Sequence, residues 1–472
     1  MSQVQNQYIQ TRANMTCFRG EPNKPHFVMV PLAAQGHLIP MIDIGCLLAE
    51  HGVFVSLVIT RGNANRIKPT IEQVKEFKLS MQFVELSFSN EKFGLPPGWE
   101  SVDHVMASPD RFRAFYDAIY SLDQPLEAFL KNLKRPPDCL ITDLCNAWTA
   151  PVARKLGIPR VNFHGPSCFY ASVHYNLVHH KIYDKVKDVN EYMSVLDFPV
   201  KLDVTRAQVP GFLNHPGFED LRKKYLEEES TADGVLINTI LELEQLFVKN
   251  YKNAVGTKIW TIGPVCLHNK EFQMKAGRGN KDAIDQRDRV LTWLNERHSG
   301  SVLYVSFGSI MYTNPQQLME VGSGLEASDK PFIWVIKKIE MKPVLEKWLS
   351  EGFEERTKDR GLIIVGWAPQ MVILSHRNQF VNENLIVNIL KIGVGLGVKM
   401  PNFASEDAVM VKSDDVRRAI YTLMDGGTEA DERRQRSKNF SEKSKKAMEE
   451  GGSSYMNLTD FIHHFTKNPG SK

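Results

Sequence analysis

Cysteine is scarce in this chain and never occurs in closely spaced pairs. Six cysteines are spread over 472 residues, and no two of them form a Cys-x-x-Cys pair. This distribution does not favour a disulfide or zinc framework. Most of the six lie inside apolar runs, which predicts reduced, buried thiols in a cytoplasmic protein. They occupy positions 17, 46, 139, 145, 168 and 266.

Neither a strong charge of one sign nor a long hydrophobic run is present. The chain has 58 Lys and Arg against 55 Asp and Glu, a net charge of +3, which does not suggest a nucleic-acid or membrane-surface protein. The longest apolar runs, Phe27–Ala34 and Val53–Ile59, are too short to cross a bilayer. No secretory signal is expected at the N-terminus. The basic cluster Arg433–Lys446 is interleaved with Glu and Ser, and we interpret it as a solvated helix face.

Metal-binding and dinucleotide-binding signatures are also lacking. The histidine pairs at 179–180 and 463–464 are adjacent and have no suitably spaced cysteine or carboxylate nearby, so no metal site is expected. The first apolar run is not followed by a Gly-x-Gly-x-x-Gly loop, which argues against a nicotinamide-dependent oxidoreductase. The glycines of 393–397 have the wrong spacing and follow a helical run, so we interpret them as a turn.

Short β-branched runs alternate with amphipathic segments along most of the chain. This alternation predicts parallel strands joined by crossover helices. A stretch rich in Lys, Gly, Asn and Asp, residues 266–285, interrupts it as a linker. We therefore expect an α/β protein with a loose tail over 1–25 and two domains over 26–265 and 286–472. The cleft between the domains, at the carboxyl ends of the strands, is the expected binding site.

Two polar residues follow apolar strands in the first half. His37 comes after Phe27–Pro31, at the expected helix start, where Gly36 permits a sharp turn and Pro40 suits the first helical turn. A histidine there can act as a general base, or it can merely cap the loop. Asp143 follows a later strand of the same parallel sheet, so it is expected on the same edge. It can hold the His37 tautomer and stabilise the imidazolium, or it can simply cap the next helix.

Two further segments follow strands in the second half. Ser309 ends a Phe-Gly-Ser turn, where backbone N–H groups and the hydroxyl suit a phosphate oxygen. Trp367 follows another strand and can stack on a flat base, although a core tryptophan fits that position equally well.

Together these segments resemble the plant UDP-dependent glycosyltransferases, most closely the branch that glucosylates flavonoids, terpenoids and hormones. The similarity runs from about residue 27 to about residue 465. The segments that carry it are PLAAQGHLIPM at 31–41, VLYVSFGS at 302–309, GWAPQ at 366–370, ILSH at 373–376 and EGGSS at 450–454.

The resemblance implies two Rossmann-like domains facing a cleft (the GT-B arrangement), an acceptor-binding first domain and a UDP-sugar-binding second domain. It implies an inverting transfer in plant secondary metabolism, with His37 as the base and Asp143 as its partner. Trp367 would stack on uracil, Ala368 would contact it through the backbone, and Ser309 would bind diphosphate. UDP-sugar is a co-substrate, and neither a metal nor another cofactor is implied. The remaining donor-binding positions are Gln370, Asn378 and Gln379.

The sequence departs from the family pattern after His376. Arg377 is followed at once by Asn378-Gln379, so the start and end of the family's signature segment are present and its middle is missing. Gln379 matches the glutamine that binds the sugar hydroxyls in the family. The prediction that the sugar is glucose is based on this residue alone. Asn378 stands where an acidic residue is usual. The absent stretch would form two strands and a helix, including the groups that hold the diphosphate and the ribose.

Two functions therefore stay open within the family. One is sugar transfer to a small lipophilic acceptor. The other is a catalytically impaired, truncated member that binds acceptor only. We expect weak UDP-glucose binding and barely detectable transfer. The acceptor pocket is expected from the loops Phe88–Val105 and Phe169–Phe212, and these do not name the acceptor; the oligomeric state is not readable either.

Overall fold

The computed structural model describes most of the chain but not all of it. The tail, most of the linker, and four of the predicted donor-binding residues (Ser309, Gln370, Asn378 and Gln379) lie outside the described part. The described residues are 24–105, 108–186, 188, 191–205, 217–268, 281–298, 300–308, 313–368, 384–397 and 411–466.

A seven-stranded parallel sheet forms the first domain, with the strand order β3-β2-β1-β4-β5-β8-β9. Its strands coincide within one or two residues with the apolar runs of the first half. Strands β1, β2, β4 and β5 are buried along their whole length, as near-continuous apolar runs in a parallel sheet require. The seven strands are β1 His26–Val30, β2 Phe54–Thr60, β3 Met81–Leu86, β4 Cys139–Asp143, β5 Arg160–His164, β8 Gly234–Ile237 and β9 Ile259–Thr261. A separate antiparallel pair consists of β6 Tyr192–Ser194 and β7 Asp203–Thr205.

Helices cover both faces of this sheet. Alternate residues of β1 point to opposite faces: Phe27 and Met29 enter one apolar cluster, and Val28 and Val30 enter another. The helices are α1 Gln35–Glu50, α2 Arg61–Arg66, α3 Lys68–Glu76, α4 Val102–Val105, α5 Phe112–Tyr120, α6 Asp123–Lys131, α7 Thr149–Leu156, α8 Cys168–His179, α9 Ile182–Lys185, α10 Glu219–Glu229 and α11 Leu241–Val255. Short 3-10 turns occupy Glu91–Phe93, Pro109–Arg111 and Val265–His268.

The described part of the second domain contains a three-stranded parallel sheet in the order β10-β11-β12. Its strands are β10 Leu303–Val305, β11 Phe332–Ile336 and β12 Gly361–Val365. The helices are α12 Lys281–Asn295, α13 Pro315–Ala327, α14 Pro343–Trp348, α15 Glu354–Thr357, α16 Ser413–Met424, α17 Thr428–Met448 and α18 Ser453–Thr466, with a 3-10 turn at Lys338–Glu340 and π-helical segments at Leu349–Phe353 and Asn384–Ile389. None of the helices in the described ranges is long and apolar enough to cross a membrane.

The last helix, α18, packs on the first domain. Its Phe461 is fully buried, with its ring 5.6 Å from that of Phe27 and 5.1 Å from that of Trp260. Trp260 Nε1 also donates a 2.8 Å hydrogen bond to Asp460 Oδ2. The chain therefore returns to the first domain at its end.

The linker predicted over 266–285 differs from the structure at both described ends. A 3-10 turn, Val265–His268, precedes the undescribed stretch. Helix α12 begins at Lys281, inside the predicted linker. The linker is predicted because its polar residues show no apolar periodicity. Many polar residues are nevertheless good helix formers, so a helix can begin before the first apolar residue of its buried face.

The segment that follows the sequence departure packs on the first domain. The sequence predicts a helix over Gln379–Leu390 that is displaced from its family position or reached by a strained connection from His376. In the described part of that stretch, Asn384–Ile389 is a short π-helical segment. Leu385 and Leu390 are buried in a cluster with Phe169 and Val173 of α8. The loss of two strands from the second sheet stays a prediction, because residues 369–383 lie outside the described part.

Candidate active site

His37 lies in the first turn of α1, directly after the loop that leaves β1. The helix begins at Gln35, four residues earlier than the predicted start at Ile39, and it runs through Pro40. A proline so near the start removes one backbone hydrogen bond without ending the helix. The sharp turn assigned to Gly36 is made earlier, where the N–H of Ala34 donates to the carbonyl of Leu32 at 2.7 Å.

Asp143 is the last residue of β4, and β4 is paired directly with β1. The register matches Val30 with Thr142, so the carboxyl ends of the two strands lie side by side. Asn146 secures the loop after β4, since its side-chain N–H₂ donates to the carbonyl of Val30 at 3.0 Å. The sheet therefore brings His37 and Asp143 to one edge, as their positions after neighbouring strands predicted.

His37 and Asp143 are joined by a hydrogen bond. The distance between His37 Nδ1 and Asp143 Oδ2 is 2.8 Å, and because an ionised carboxylate only accepts, the proton lies on Nδ1. The Asp143 side chain is 2% exposed, whereas that of His37 is 24% exposed. The predicted contact is therefore confirmed, with the carboxylate behind the ring and the ring partly open to solvent. Nε2 is the nitrogen that can take a proton from a hydroxyl.

The electrostatics of this pair favour the charged forms of both residues. Burial disfavours the imidazolium, but the charge and hydrogen bond of Asp143 outweigh it, and the pKa of His37 is raised above 6.5. Burial likewise disfavours the carboxylate, yet His37 and the Cys145 backbone N–H hold the pKa of Asp143 below its ordinary value. The N–H of Cys145 donates to Asp143 Oδ1 at 2.9 Å. The arrangement suits a histidine that accepts a proton while a fixed carboxylate balances the new charge.

Aromatic side chains lie near Cys145, two residues beyond Asp143. Burial, and to a smaller extent the charge of the nearby Cys145, raises the pKa of Tyr120 and of Tyr170 to about 12. Both phenols therefore stay protonated. Tyr170 stacks on His174 with 6.2 Å between ring centroids. Burial lowers the pKa of His174 to about 4, which keeps that ring neutral. These rings offer flat apolar surface and a few polar tips in the neighbourhood of Cys145.

Trp367 and Ala368 are the predicted donor-site residues that the structure describes. Trp367 follows β12 and is half-buried, which distinguishes it from a core tryptophan such as Trp334. Ala368 is fully buried against Ile333 and Ile364. The structure does not bring the other four predicted donor residues into view, since they lie outside its described ranges.

Sequence reasoning missed Cys145 and Tyr120, whereas Tyr170 lies inside the predicted acceptor segment Phe169–Phe212. An Asp-x-Cys spacing directly after a strand was a signal for the cysteine, because the turn folds the third residue back toward the first. No comparable signal exists for Tyr120, which comes from α5 and is brought near Cys145 only by the fold.

Comparisons with known proteins agree with this architecture. Residues 26–267 match the family model described as the glycosyltransferase N-terminal domain. UDP-glycosyltransferase 73C6 of Arabidopsis thaliana is 40% identical over 476 residues, covering 93% of this chain and 96% of that protein. UDP-glycosyltransferase 73E1 of Stevia rebaudiana is 38% identical, covering 94% of this chain and 97% of that protein.

A solved structure shows the same fold over the same length. Glycyrrhiza uralensis UGT73P12, complexed with glycyrrhetinic acid 3-O-monoglucuronide, superposes with a TM-score of 0.84 at 32% identity, covering 94% of this chain and 96% of that one. The fold is therefore the expected pair of Rossmann-like domains, and the oxidoreductase alternative is wrong. With these matches over nearly its whole length, the chain belongs to the plant UDP-glycosyltransferases.

Proposed function

We propose that this chain is built to transfer a sugar, glucose in the first instance, from a UDP donor to a hydroxyl of a small lipophilic plant metabolite. The observation that carries the proposal is the 2.8 Å hydrogen bond between His37 and Asp143 at the carboxyl edge of the first sheet. The close relatives named UDP-glycosyltransferases support the donor class.

In the proposed mechanism, His37 acts as the general base. Its Nε2 takes the proton of the acceptor hydroxyl, while Asp143 keeps the proton on Nδ1 and stabilises the imidazolium that forms. The acceptor oxygen attacks the anomeric carbon from the face opposite UDP. The bond to the diphosphate oxygen breaks, UDP leaves with the electron pair, and the configuration inverts. No redox cofactor or metal enters these steps.

We assign acceptor binding to the first domain. Tyr120, Tyr170 and His174 supply flat apolar surface near the base, and phenols and imidazoles can also orient a polar substituent. The relative crystallised with glycyrrhetinic acid 3-O-monoglucuronide supports a large lipophilic acceptor. A cytoplasmic location stays a prediction.

Donor binding is assigned to the second domain. In this proposal Trp367 stacks on uracil, Ala368 contacts it through the backbone, and Ser309 holds a phosphate oxygen. The other donor contacts come from Gln370, Asn378 and Gln379.

One observation favours a second candidate function, acceptor binding without efficient transfer. Leu385 and Leu390, which follow the missing part of the signature segment, are buried against α8 of the first domain. Because this segment packs on the first domain, it does not extend the donor-binding sheet of the second domain. We therefore expect transfer to be slow.

The experiment combines acceptor binding with transfer. Purified chain is incubated with radiolabelled UDP-glucose and a panel of phenolic and triterpenoid acceptors, and acceptor binding is measured separately by tryptophan fluorescence. We expect acceptor binding, and we expect slow glucoside formation that inverts the configuration at the new bond. The rate of glucoside formation should fall about 10²–10⁴-fold in His37→Ala. Glucoside formation at an unchanged rate in His37→Ala would contradict the mechanism. Acceptor binding with no glucoside at all would select the second function.

A further inference from the structure

Three different metal-ligating side chains meet at the candidate active site. A nitrogen of His37, a carboxylate oxygen of Asp143 and the sulfur of Cys145 all lie within 4.8 Å of one another. Their sequence spacing gave no sign of a metal site, because His37 and Asp143 are 106 positions apart. Parallel pairing of β1 with β4 is what brings them together.

The turn after β4 fixes the cysteine in this cluster. The N–H of Leu144 donates to the carbonyl of Phe163 at 3.2 Å, and the N–H of Asn146 donates to the carbonyl of Asp143 at 2.9 Å. Between them, the Cys145 N–H donates to Asp143 Oδ1 at 2.9 Å. Two backbone–backbone hydrogen bonds and one from a backbone N–H to the Asp143 carboxylate therefore fix the turn that carries Cys145.

We propose that His37, Asp143 and Cys145 form a binding site for a thiophilic divalent cation of the zinc class, and that the bound cation switches off the base. Zinc bonds of about 2.0–2.3 Å to N, O and S ligands separate neighbouring ligand atoms by roughly 3.2–3.8 Å. The observed cluster needs only small side-chain adjustments to reach that spacing. Because His37 is partly exposed, a fourth position is left for water.

The ligand set selects for zinc over harder cations. A thiolate and an imidazole suit zinc, whereas magnesium prefers an all-oxygen octahedral shell. One carboxylate and one thiolate also balance the two positive charges of the ion, so the occupied site carries no net charge.

Proton transfers on binding explain the loss of basicity. Cys145 binds as the thiolate, so its thiol proton is released to solvent. The ring nitrogen next to Asp143 is Nδ1, and once it ligates the ion its proton moves to Nε2. Nε2 then carries a hydrogen and cannot accept one from an acceptor hydroxyl. Metal binding itself is independent of the proposed function, and only the inhibition depends on it.

The test uses cobalt(II) as a spectroscopic stand-in for zinc on the full chain. Thiolate-bound cobalt gives a near-ultraviolet charge-transfer band. We expect this band at one equivalent, its loss when Zn²⁺ is added, and no response to millimolar Mg²⁺. Cys145→Ser removes the band, and His37→Ala weakens cobalt binding at least tenfold. Cys266→Ser is the matched control and keeps the band, since Cys266 is another partly buried cysteine and is not one of the three clustered ligands.

Each alternative result has a fixed meaning. Far-ultraviolet circular dichroism establishes that each variant is folded. A folded wild-type chain with no band, or a band that persists in Cys145→Ser, overturns the proposal. A band without any transfer activity leaves the metal site standing and rejects the transfer function. Where transfer is measurable, micromolar Zn²⁺ is expected to inhibit the wild-type chain and to spare Cys145→Ser.

Discussion

The two Rossmann-like domains differ most at their first strands. Strand β1 of the first domain has a partner on each side, β2 and β4, and all of its residues are buried. Strand β10 of the second domain pairs with β11, and within the described ranges no strand pairs with its other edge. All three β10 residues are only half-buried. A first strand in a doubly wound sheet is normally central, whereas β10 lies at the edge of the three strands that the structure describes in the second domain.

This difference separates the two halves of the reaction. The proposed base His37, its partner Asp143 and the nearby aromatic residues all belong to the first domain. The predicted donor site belongs to the second domain, whose sequence departs from the family after His376. Similarity to relatives over 93% of the chain therefore does not guarantee that each half of the site is equally well formed.

The largest expected effect comes from the base. In a version of the chain with the missing segment restored, His37→Ala is expected to lower kcat by about 10²–10⁴-fold, since a general base contributes that much. Acceptor affinity should change far less, because the aromatic walls are untouched. Initial-rate kinetics with a saturating donor measure this, and an unchanged kcat would remove His37 from the mechanism.

A packing comparison gives the next largest effect. Phe461→Ala removes a fully buried ring from the core of the first domain and is expected to cost about 3–5 kcal/mol of unfolding free energy. Leu303→Ala in half-buried β10 is expected to cost only about 1 kcal/mol. Urea unfolding of both variants measures the difference. If Leu303→Ala is the costlier change, the edge of β10 is covered.

Restoring the segment should mainly improve donor binding. We expect that inserting the stretch of UDP-glycosyltransferase 73C6 that aligns between His376 and Asn378 tightens UDP-glucose binding about 100-fold, a gain of about 2.7 kcal/mol. The same insertion combined with Trp367→Ala is the control and should lose most of the gain. If the insertion has no effect on donor affinity, the missing segment is not what weakens donor binding by the second domain.

The smallest expected effect is a change in the pKa of His37, which makes the stability of the first domain depend on pH. The pKa of His37 is raised, so its stabilising pair with Asp143 is complete below pH 6.5 and is lost as pH rises through the raised value. The pKa of Asp143 is lowered, so its contribution is present above its unfolded value and lost as pH falls through the lowered value. The pair therefore stabilises the fold most between these limits. NMR titration of His37 should give a midpoint above 6.5 that moves down in Asp143→Asn; a midpoint unaffected by this substitution would contradict the assignment.

The sequence predicted the first domain well because its strands are short apolar runs with clear boundaries. It also placed His37 and Asp143 together, since parallel topology alone brings the ends of neighbouring strands to one edge. It did not predict the start of α1 at Gln35, because a proline six residues into a helix is easily mistaken for a first-turn proline. Cys145 was missed because its role depends on a turn and not on a metal-binding spacing.

The fate of the chain after the missing segment was only partly predictable. A displaced segment was expected, and Leu385 does pack on the first domain. The sequence could not indicate which surface it would reach, since an apolar stripe fits any exposed apolar face of suitable shape. The donor contacts of Ser309, Gln370, Asn378 and Gln379 stay predictions.

Isothermal titration calorimetry of UDP-glucose into the unaltered, folded chain tests the central claim most directly. Stacking of uracil on Trp367 contributes about 1–3 kcal/mol. Association costs an estimated 4–15 kcal/mol in lost freedom, which stacking alone cannot offset. We expect no binding tighter than about 1 mM, or about −4 kcal/mol. A dissociation constant in the micromolar range, about −8 kcal/mol, would contradict the account and show that other residues complete the donor site.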